Sequence, residues 1–262
     1  MDNYKGFAPI YDALMTDAPY DYWTAYVDGF LSARFSRKKK SEDKILVLDL
    51  ACGTGSMTVR LSKLGYDMIG VDISADMLAQ ASQKAMEEGE EILFIAQDMR
   101  ELDLYGTVDA AICVCDGMSY ILSEAELLSV FKKVFLFLDP GGVFIFDMNS
   151  EYKFKELLGS KTFEGKGKGG EAYVWENSYD PKTGINEYNV HFYSGGSEVS
   201  FSELHKQRAY DPALVSGLLL DAGFEGVKIR DGYSDKSIKP DSYRIVYIAS
   251  KQLQAKPLTC QA

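Results

Sequence analysis

The chain has 262 residues, 46% of them hydrophobic and 13% aromatic, enough for one packed α/β domain with an elaboration. Its 28 Lys and Arg stand against 39 Asp and Glu, a formal net charge of −11. So acidic a surface repels phosphate backbones, which disfavours a nucleic-acid partner.

The basic run Arg37-Lys38-Lys39-Lys40 leads straight into Ser41-Glu42-Asp43 and reads as a solvated linker. The four cysteines, Cys52, Cys113, Cys115 and Cys260, include no C-x-x-C pair, and three fall in apolar segments, so free thiols in a reducing compartment are expected. With two histidines, His191 and His205, and no clustered ligands, no metal site is expected. The start, Met1 to Gly6, lacks the basic and apolar regions of a signal peptide, and the apolar runs stop short of membrane-spanning length. The expected location is the cytoplasm, with no membrane partner.

In chain order, residues 9–35 carry apolar side chains at helical spacing (Tyr11, Leu14 and Met15, then Trp23, Val27 and Leu31), with Pro19 between two helices. Short apolar runs then alternate with amphipathic helices. Strands are predicted at Ile45 to Leu50, Met68 to Val71, Ile92 to Ile95, Val108 to Val114 and Val143 to Phe146. Helices are predicted from Ser56, from Ala75 and from Ser123 to Leu138, so the pattern is that of βαβ units and a parallel sheet.

Residues 161–208 change to period-two alternation (Tyr173, Trp175; Tyr188, Val190, Phe192), broken by turns at Asp180-Pro181-Lys182-Thr183-Gly184 and Ser194-Gly195-Gly196. This segment reads as an antiparallel insertion in a domain formed by residues 1–160 and 209–252. The tract Gly165-Lys166-Gly167-Lys168-Gly169-Gly170 within it has no helix after it and reads as a hairpin loop rather than a phosphate cradle. Helix Pro212 to Ala222 and strands Val227 to Ile229 and Tyr243 to Ala249 complete the pattern, before a polar tail expected to fray.

The informative segment is Asp49-Leu50-Ala51-Cys52-Gly53-Thr54-Gly55, an apolar strand running into a glycine turn and then a helix. About 20 residues on, Asp72 and Ile73 end the second strand, where a carboxylate can accept two ribose hydroxyls. A dinucleotide fingerprint would want a third glycine near position 58, where Thr58 stands. A carboxylate such as Asp49 repels a pyrophosphate and attracts an ammonium, so the turn favours a cationic nucleoside.

These residues resemble the class I S-adenosylmethionine-dependent methyltransferases, whose first motif, D-x-G-x-G-x-G, stands here with Ala51 for the first glycine. The resemblance extends through Asp72, through Gln97-Asp98-Met99, which would hold the adenine edge, and through Asp139-Pro140-Gly141-Gly142 before the fifth strand. It implies a Rossmann-like, mostly parallel seven-stranded sheet in the order 3-2-1-4-5-7-6 with the last strand antiparallel, helices on both faces, and S-adenosylmethionine as cofactor. The implied cofactor-binding set is Asp49, Ala51, Cys52, Gly53, Thr54, Gly55, Asp72, Ile73, Asp98, Met99 and Cys115.

The opening Phe7-Ala8-Pro9-Ile10-Tyr11-Asp12, with Tyr22-Trp23 and the insertion after strand five, is similar to small bacterial methyltransferases laid out like glycine N-methyltransferase. That layout places the first helices over the cofactor, adding Tyr11 and Trp23 as lining candidates, and Met77 one turn beyond the ribose acid. Cys115-Asp116-Gly117-Met118-Ser119-Tyr120 sits over the methyl group in related folds. Asp116 is the candidate to orient an acceptor and Tyr120 to shape its pocket; Asp116 equally reads as a turn cap. His191 and His205 could each face the cleft or solvent.

No Asn/Asp-Pro-Pro-aromatic run follows strand four, as it would in enzymes acting on exocyclic base amines. A small-molecule acceptor with an amine, hydroxyl or carboxyl group is expected. An RNA methyltransferase and a non-catalytic cofactor-binding protein are the alternatives, and a homodimer is left open.

Overall fold

The computed structural model describes residues 8–36, 44–166, 172–193 and 199–253. The basic run, Phe7, Cys260, residues 167–170 of the glycine tract and 194–196 of the second turn lie outside them. Helices α1 (Ala8–Leu14) and α2 (Tyr20–Arg34) come first, with Pro19 at the junction. There follow β1 (Leu46–Leu50), α3 (Ser56–Lys63), β2 (Asp67–Asp72), α4 (Ala75–Glu87), β3 (Leu93–Ala96), β4 (Val108–Cys113), α5 (Glu124–Phe137) and β5 (Leu138–Asn149). Four more strands, β6 (Thr162–Lys166), β7 (Ala172–Asp180), β8 (Ile185–Tyr193) and β9 (Val199–Arg208), lead to α6 (Pro212–Asp221), β10 (Glu225–Asp231) and β11 (Arg244–Ser250).

Helix starts are set by local chemistry. Ser74 accepts from the Met77 N–H at α4, and Asp211 accepts from Ala213 and Leu214 at α6, where Pro212 fills a position needing no donor. At α5 the Ser123 hydroxyl accepts from the Glu126 N–H and donates to the Glu126 carboxylate, closing that end on itself.

Among the described residues the central sheet runs β3-β2-β1-β4-β5-β11-β10, the order the resemblance implies. Strands β1 to β5 are parallel, and β11 runs antiparallel between β5 and β10. Alternation along β5 sends Phe144 and Phe146 to one face and Val143 and Ile145 to the other, and both faces are covered. On the first, Phe144 stacks on Phe146 and Phe146 on Tyr247, with centroids 4.7 and 4.9 Å apart, beneath Phe131 of α5. On the second, Trp23, Val27 and Leu31 of α2 pack with Met57 and Leu61 of α3.

Strand β5 begins earlier than the apolar run alone indicates and takes in the Asp139-Pro140-Gly141-Gly142 stretch. The reason is pairing: the Gly141 N–H donates to Lys251 O at 3.0 Å and the Lys251 N–H to Gly142 O at 2.9 Å, so the turn glycines are drawn into the ladder with the end of β11. Glycine is needed there, because a Cβ on Gly142 would stand 2.8 Å from the Asp139 carbonyl and 2.9 Å from that of Asp109.

The second sheet, β6-β7-β8-β9, is antiparallel throughout. The β7–β8 turn is fixed by Asp180, whose carboxylate accepts from the Lys182 N–H and the Thr183 hydroxyl, both at 2.9 Å. This sheet docks on the carboxyl ends of β4 and β5, with Asn149 Nδ2 donating to Gln207 Oε1 at 3.0 Å and Arg208 Nη1 to Leu122 O at 3.0 Å. Among the described residues no helix is long and apolar enough to cross a membrane.

Gly142→Ala is expected to destabilise the fold by about 1–3 kcal/mol, because two backbone carbonyls must yield. A melting temperature unchanged in calorimetry would show that the strand end relaxes freely.

Candidate functional site

The turn after β1 doubles back through left-handed backbone at Ala51, Gly53 and Gly55, with φ of 53°, 55° and 73°. It is tied to the next strand by Cys52 N–H donating to Val71 O at 3.1 Å and Gly53 N–H donating to the Asp72 carboxylate at 2.8 Å. The Ser74 N–H donates to the other Asp72 oxygen at 2.9 Å. Each oxygen keeps a further lone pair for a ligand hydroxyl. Burial pushes the Asp72 carboxyl up from its ordinary value, against the pull of those N–H groups.

Asp49 lies beneath this turn, almost fully buried, and accepts the Thr58 hydroxyl at 2.6 Å. That bond gives a reason for Thr58 where a dinucleotide fold has glycine. Burial pushes the Asp49 carboxyl up to about 7, opposed by Thr58.

A cavity of about 590 Å³ opens at the carboxyl ends of the parallel strands. One end is lined by Ala51, Gly53, Asp72, Ile73, Met77 and Met99, and α1 and α2 cover it with Tyr11 and Trp23. Cys115, Asp116 and Tyr120 lie in the middle, and Tyr173, Trp175, Tyr188 and Val190 of the second sheet wall the far end. Cys115 and Asp116 have φ of 68° and 60°; with Ala51 they are the non-glycine residues with positive φ among those described, and all three line the cavity. Such backbone costs on the order of 1–3 kcal/mol per residue and persists only where its surroundings impose it.

What imposes it at β4 is a buried ion cluster. Arg244 Nη1 contacts Asp116 Oδ1 at 2.5 Å and pairs with Asp147, whose other oxygen accepts the Asp116 N–H at 2.9 Å. The guanidinium also lies over the Trp23 ring, 4.9 Å from its centroid. Burial drives the Asp116 carboxyl upward, but Arg244, Lys153 and Asn149 outweigh it and hold it below its ordinary value.

Of the residues singled out from sequence, Tyr11, Trp23, Ala51, Gly53, Asp72, Ile73, Met77, Met99, Cys115, Asp116 and Tyr120 meet in this one cavity. Asp49, Cys52, Thr54, Gly55 and Asp98 do not line it. Thr54 donates to Asp12 of α1 at 2.6 Å, and Gly55 caps α3. Asp98 caps its own turn and pairs with the Arg100 guanidinium at 2.6 Å, which lowers its pKa. His191 faces Ser202 and Glu176 away from the cavity, whereas His205 lines it. Tyr188 lines it too, but Phe192 is buried within the second sheet, stacked on Phe201 at 4.5 Å.

Sequence reasoning missed Arg244, Asp147, Asn149, Lys153 and Gln207. A signal existed: Asp147 and Asn149 interrupt an apolar strand on alternate positions, and Glu203, His205 and Gln207 share one face of β9.

A methyltransferase domain model matches residues 47–142. "Putative methyltransferase YqeM" of Bacillus subtilis (strain 168) is 32% identical over 95% of this chain and 97% of its own length. The chain belongs to the S-adenosylmethionine-dependent methyltransferases. The crystal structure of an S-adenosylmethionine-dependent methyltransferase from Clostridium acetobutylicum ATCC 824 superposes on it with a TM-score of 0.82, at 30% identity over 95% of this chain and 99% of that one. A glycine/sarcosine N-methyltransferase of Parasynechococcus marenigrum (strain WH8102) is 27% identical over 88% of this chain and 82% of its own length.

The methyltransferase's own residues fit the cofactor. A Cβ built on Gly53 would meet nothing within 4 Å, so the turn faces open space, and Ile73, 65% exposed, offers an apolar flank beside the Asp72 carboxylate.

Because the Asp49 carboxyl is raised from 3.8 to about 7, the folded protein binds this proton more tightly than the unfolded chain does. Stability from this group is therefore greatest below pH 4 and falls as pH rises toward 7. Asp49→Asn is expected to remove that slope, so that the cofactor-free variant gains up to about 4 kcal/mol relative to wild type between pH 4 and pH 8. The same melting difference at both pH values would mean that Asp49 ionises freely.

Proposed function

We propose that this methyltransferase acts on a small molecule bearing an amine, hydroxyl or carboxyl group, held between the turn after β4 and the second sheet. The observation that carries the reading is the shape of the cavity. At about 590 Å³ it is of small-molecule size, with cofactor-type residues at one end and an aromatic wall of Tyr173, Trp175 and Tyr188 at the other. The glycine/sarcosine N-methyltransferase relative, named for small amine acceptors, supports the same class.

In this reading Asp72 accepts the ribose hydroxyls, while Ile73, Met77 and Met99 flank the adenine. Tyr11 and Trp23 close over the cofactor, and Cys115 lines its methyl end. S-adenosylmethionine, when bound, supplies an electrophilic methyl group on a sulfonium whose sulfur leaves neutral. The protein therefore gains rate chiefly by holding the acceptor in line and excluding water. Asp116, kept ionised by Arg244, orients the acceptor, and Tyr120 shapes its pocket. The second sheet is the acceptor wall, so it carries specificity.

Asp72→Ala is expected to weaken S-adenosylhomocysteine binding by about 1–3 kcal/mol, since two hydroxyls lose their acceptor. An unchanged dissociation constant in calorimetry removes Asp72 from the site. Incubation of the protein with labelled S-adenosylmethionine and a bacterial extract is expected to place the label in the dialysable fraction. Label retained in RNA would overturn the small-molecule reading.

A further inference from the structure

At the acceptor end of the cavity, four side chains from three elements form a continuous line. Tyr188 of β8 and Tyr120 of the turn after β4 have hydroxyls 2.8 Å apart. The Tyr120 hydroxyl lies 3.2 Å from His205 Nδ1, and His205 Nε2 lies 3.3 Å from Glu203 Oε2. His205 and Glu203 are 2% and 6% exposed, and the Tyr188 and His205 rings stack at 4.8 Å. Tyr120, Tyr188 and His205 all line the cavity.

One tautomer of His205 aligns these contacts in a single direction. With its proton on Nε2, the nitrogen nearest the Glu203 carboxylate, His205 presents Nδ1 as an acceptor. Tyr120 must then donate to Nδ1, and its oxygen takes the Tyr188 hydroxyl proton. Tyr188 has spent its only donor, so toward the cavity its oxygen can only accept from an N–H or O–H. Burial pushes the Tyr188 hydroxyl up, which keeps it a neutral phenol able to pass a proton along rather than hold a charge.

We propose that Tyr188, Tyr120, His205 and Glu203 form a proton path that takes the acceptor's proton to His205 Nδ1, so that the acceptor is a protonated or N–H amine, or a hydroxyl. The inference rests on the small-molecule reading above and narrows it. A carboxylate has no proton to lose at neutral pH, and a tertiary amine loses none on methylation. A path built only to accept matches neither.

The step balances. The acceptor's lone pair makes the new bond to the methyl carbon, and the C–S pair stays with sulfur. The acceptor's proton moves to Tyr188 as the Tyr188 proton moves to Tyr120 and that of Tyr120 to Nδ1. The resulting imidazolium is stabilised by Glu203, as an oriented carboxylate stabilises a histidine base. Titratable groups facing His205 include Glu203 on its own strand, Tyr188 on β8 and Tyr120 on the turn; Asp116 and Cys115 act on the Tyr188 hydroxyl from beyond it.

The experiment combines nitrogen-15 NMR of the histidine rings, in full-length protein with S-adenosylhomocysteine, and transfer kinetics with glycine and sarcosine as probes. With two histidines in the chain, His191→Gln leaves His205 as a single imidazole signal. Neutral His205 is expected to be protonated on Nε2, with an Nδ1 resonance that moves in Tyr120→Phe.

His205→Gln is expected to lower kcat about 100-fold with unchanged cofactor affinity, and its residual rate should climb with pH where wild type levels off. Tyr120→Phe leaves the His205–Glu203 pair in place and should show the same loss, guarding against misfolding of the first variant. A proton on Nδ1, or kcat held within about threefold in both variants, overturns the path. If wild type methylates neither probe, the acceptor reading fails for those amines, while the NMR signals alone decide the path.

Discussion

The pairing of Arg244 with Asp116 and Asp147 is the contact on which the rest of the site depends. It joins a residue of the turn after β4, a residue inside β5 and the first residue of β11, three points far apart in sequence. Taking ions out of water costs several kcal/mol each, and the cost is offset only where every partner is present and well placed. One guanidinium lies between two carboxylates and the Asp116 N–H donates to Asp147, but Asp116 Oδ1 meets Arg244 as a close ionic contact without a hydrogen bond, so the offset is incomplete. The cluster is thus weak as a source of stability and strong as a source of geometry. It holds Cys115 and Asp116 in backbone that neither residue would adopt alone.

The consequences spread outward from that point. Arg244 stacks on Trp23, which packs on Tyr233, so the cover helix α2 is registered to the strand ends by the same residue that orients Asp116. Asn149, two residues beyond Asp147, ties β5 to Gln207 and so to the second sheet. The two halves of the cavity therefore share one anchor, and the cofactor turn and the aromatic wall are held at a fixed separation. A second clamp acts at the other end, where Lys84 pairs with Asp12 at 2.6 Å and donates to Thr54 and Ser56, pinning α1 beside the turn.

This arrangement divides labour by element type. Parallel strands with helical crossovers leave their carboxyl ends free, and the turn after β1 uses that edge with left-handed backbone and a carboxylate on the neighbouring strand. The antiparallel sheet brings side chains at every second position, and it brings Tyr173, Trp175, Tyr188, Val190, His205 and Gln207 to the cavity from three strands. In the proposed reading, variation on those strands changes what is bound without disturbing the turn after β1.

The sequence by itself determined the local and periodic features. The helices at Ser56 and Ala75 begin where their turn residues place them, and the strand alternation and the turn at Asp49 to Gly55 with Asp72 at the next strand end follow from neighbouring residues alone. The strand order came from the resemblance carried by those same motifs. Only the tertiary structure decided which polar residues converge. Asp147 and Arg244 lie 97 positions apart, and Tyr120 and His205 lie 85 apart. Period-two alternation says that Glu203, His205 and Gln207 share a face but not which face meets the cavity. That choice depends on how a whole sheet docks, which is set by packing over many residues and leaves no mark in any short stretch of chain.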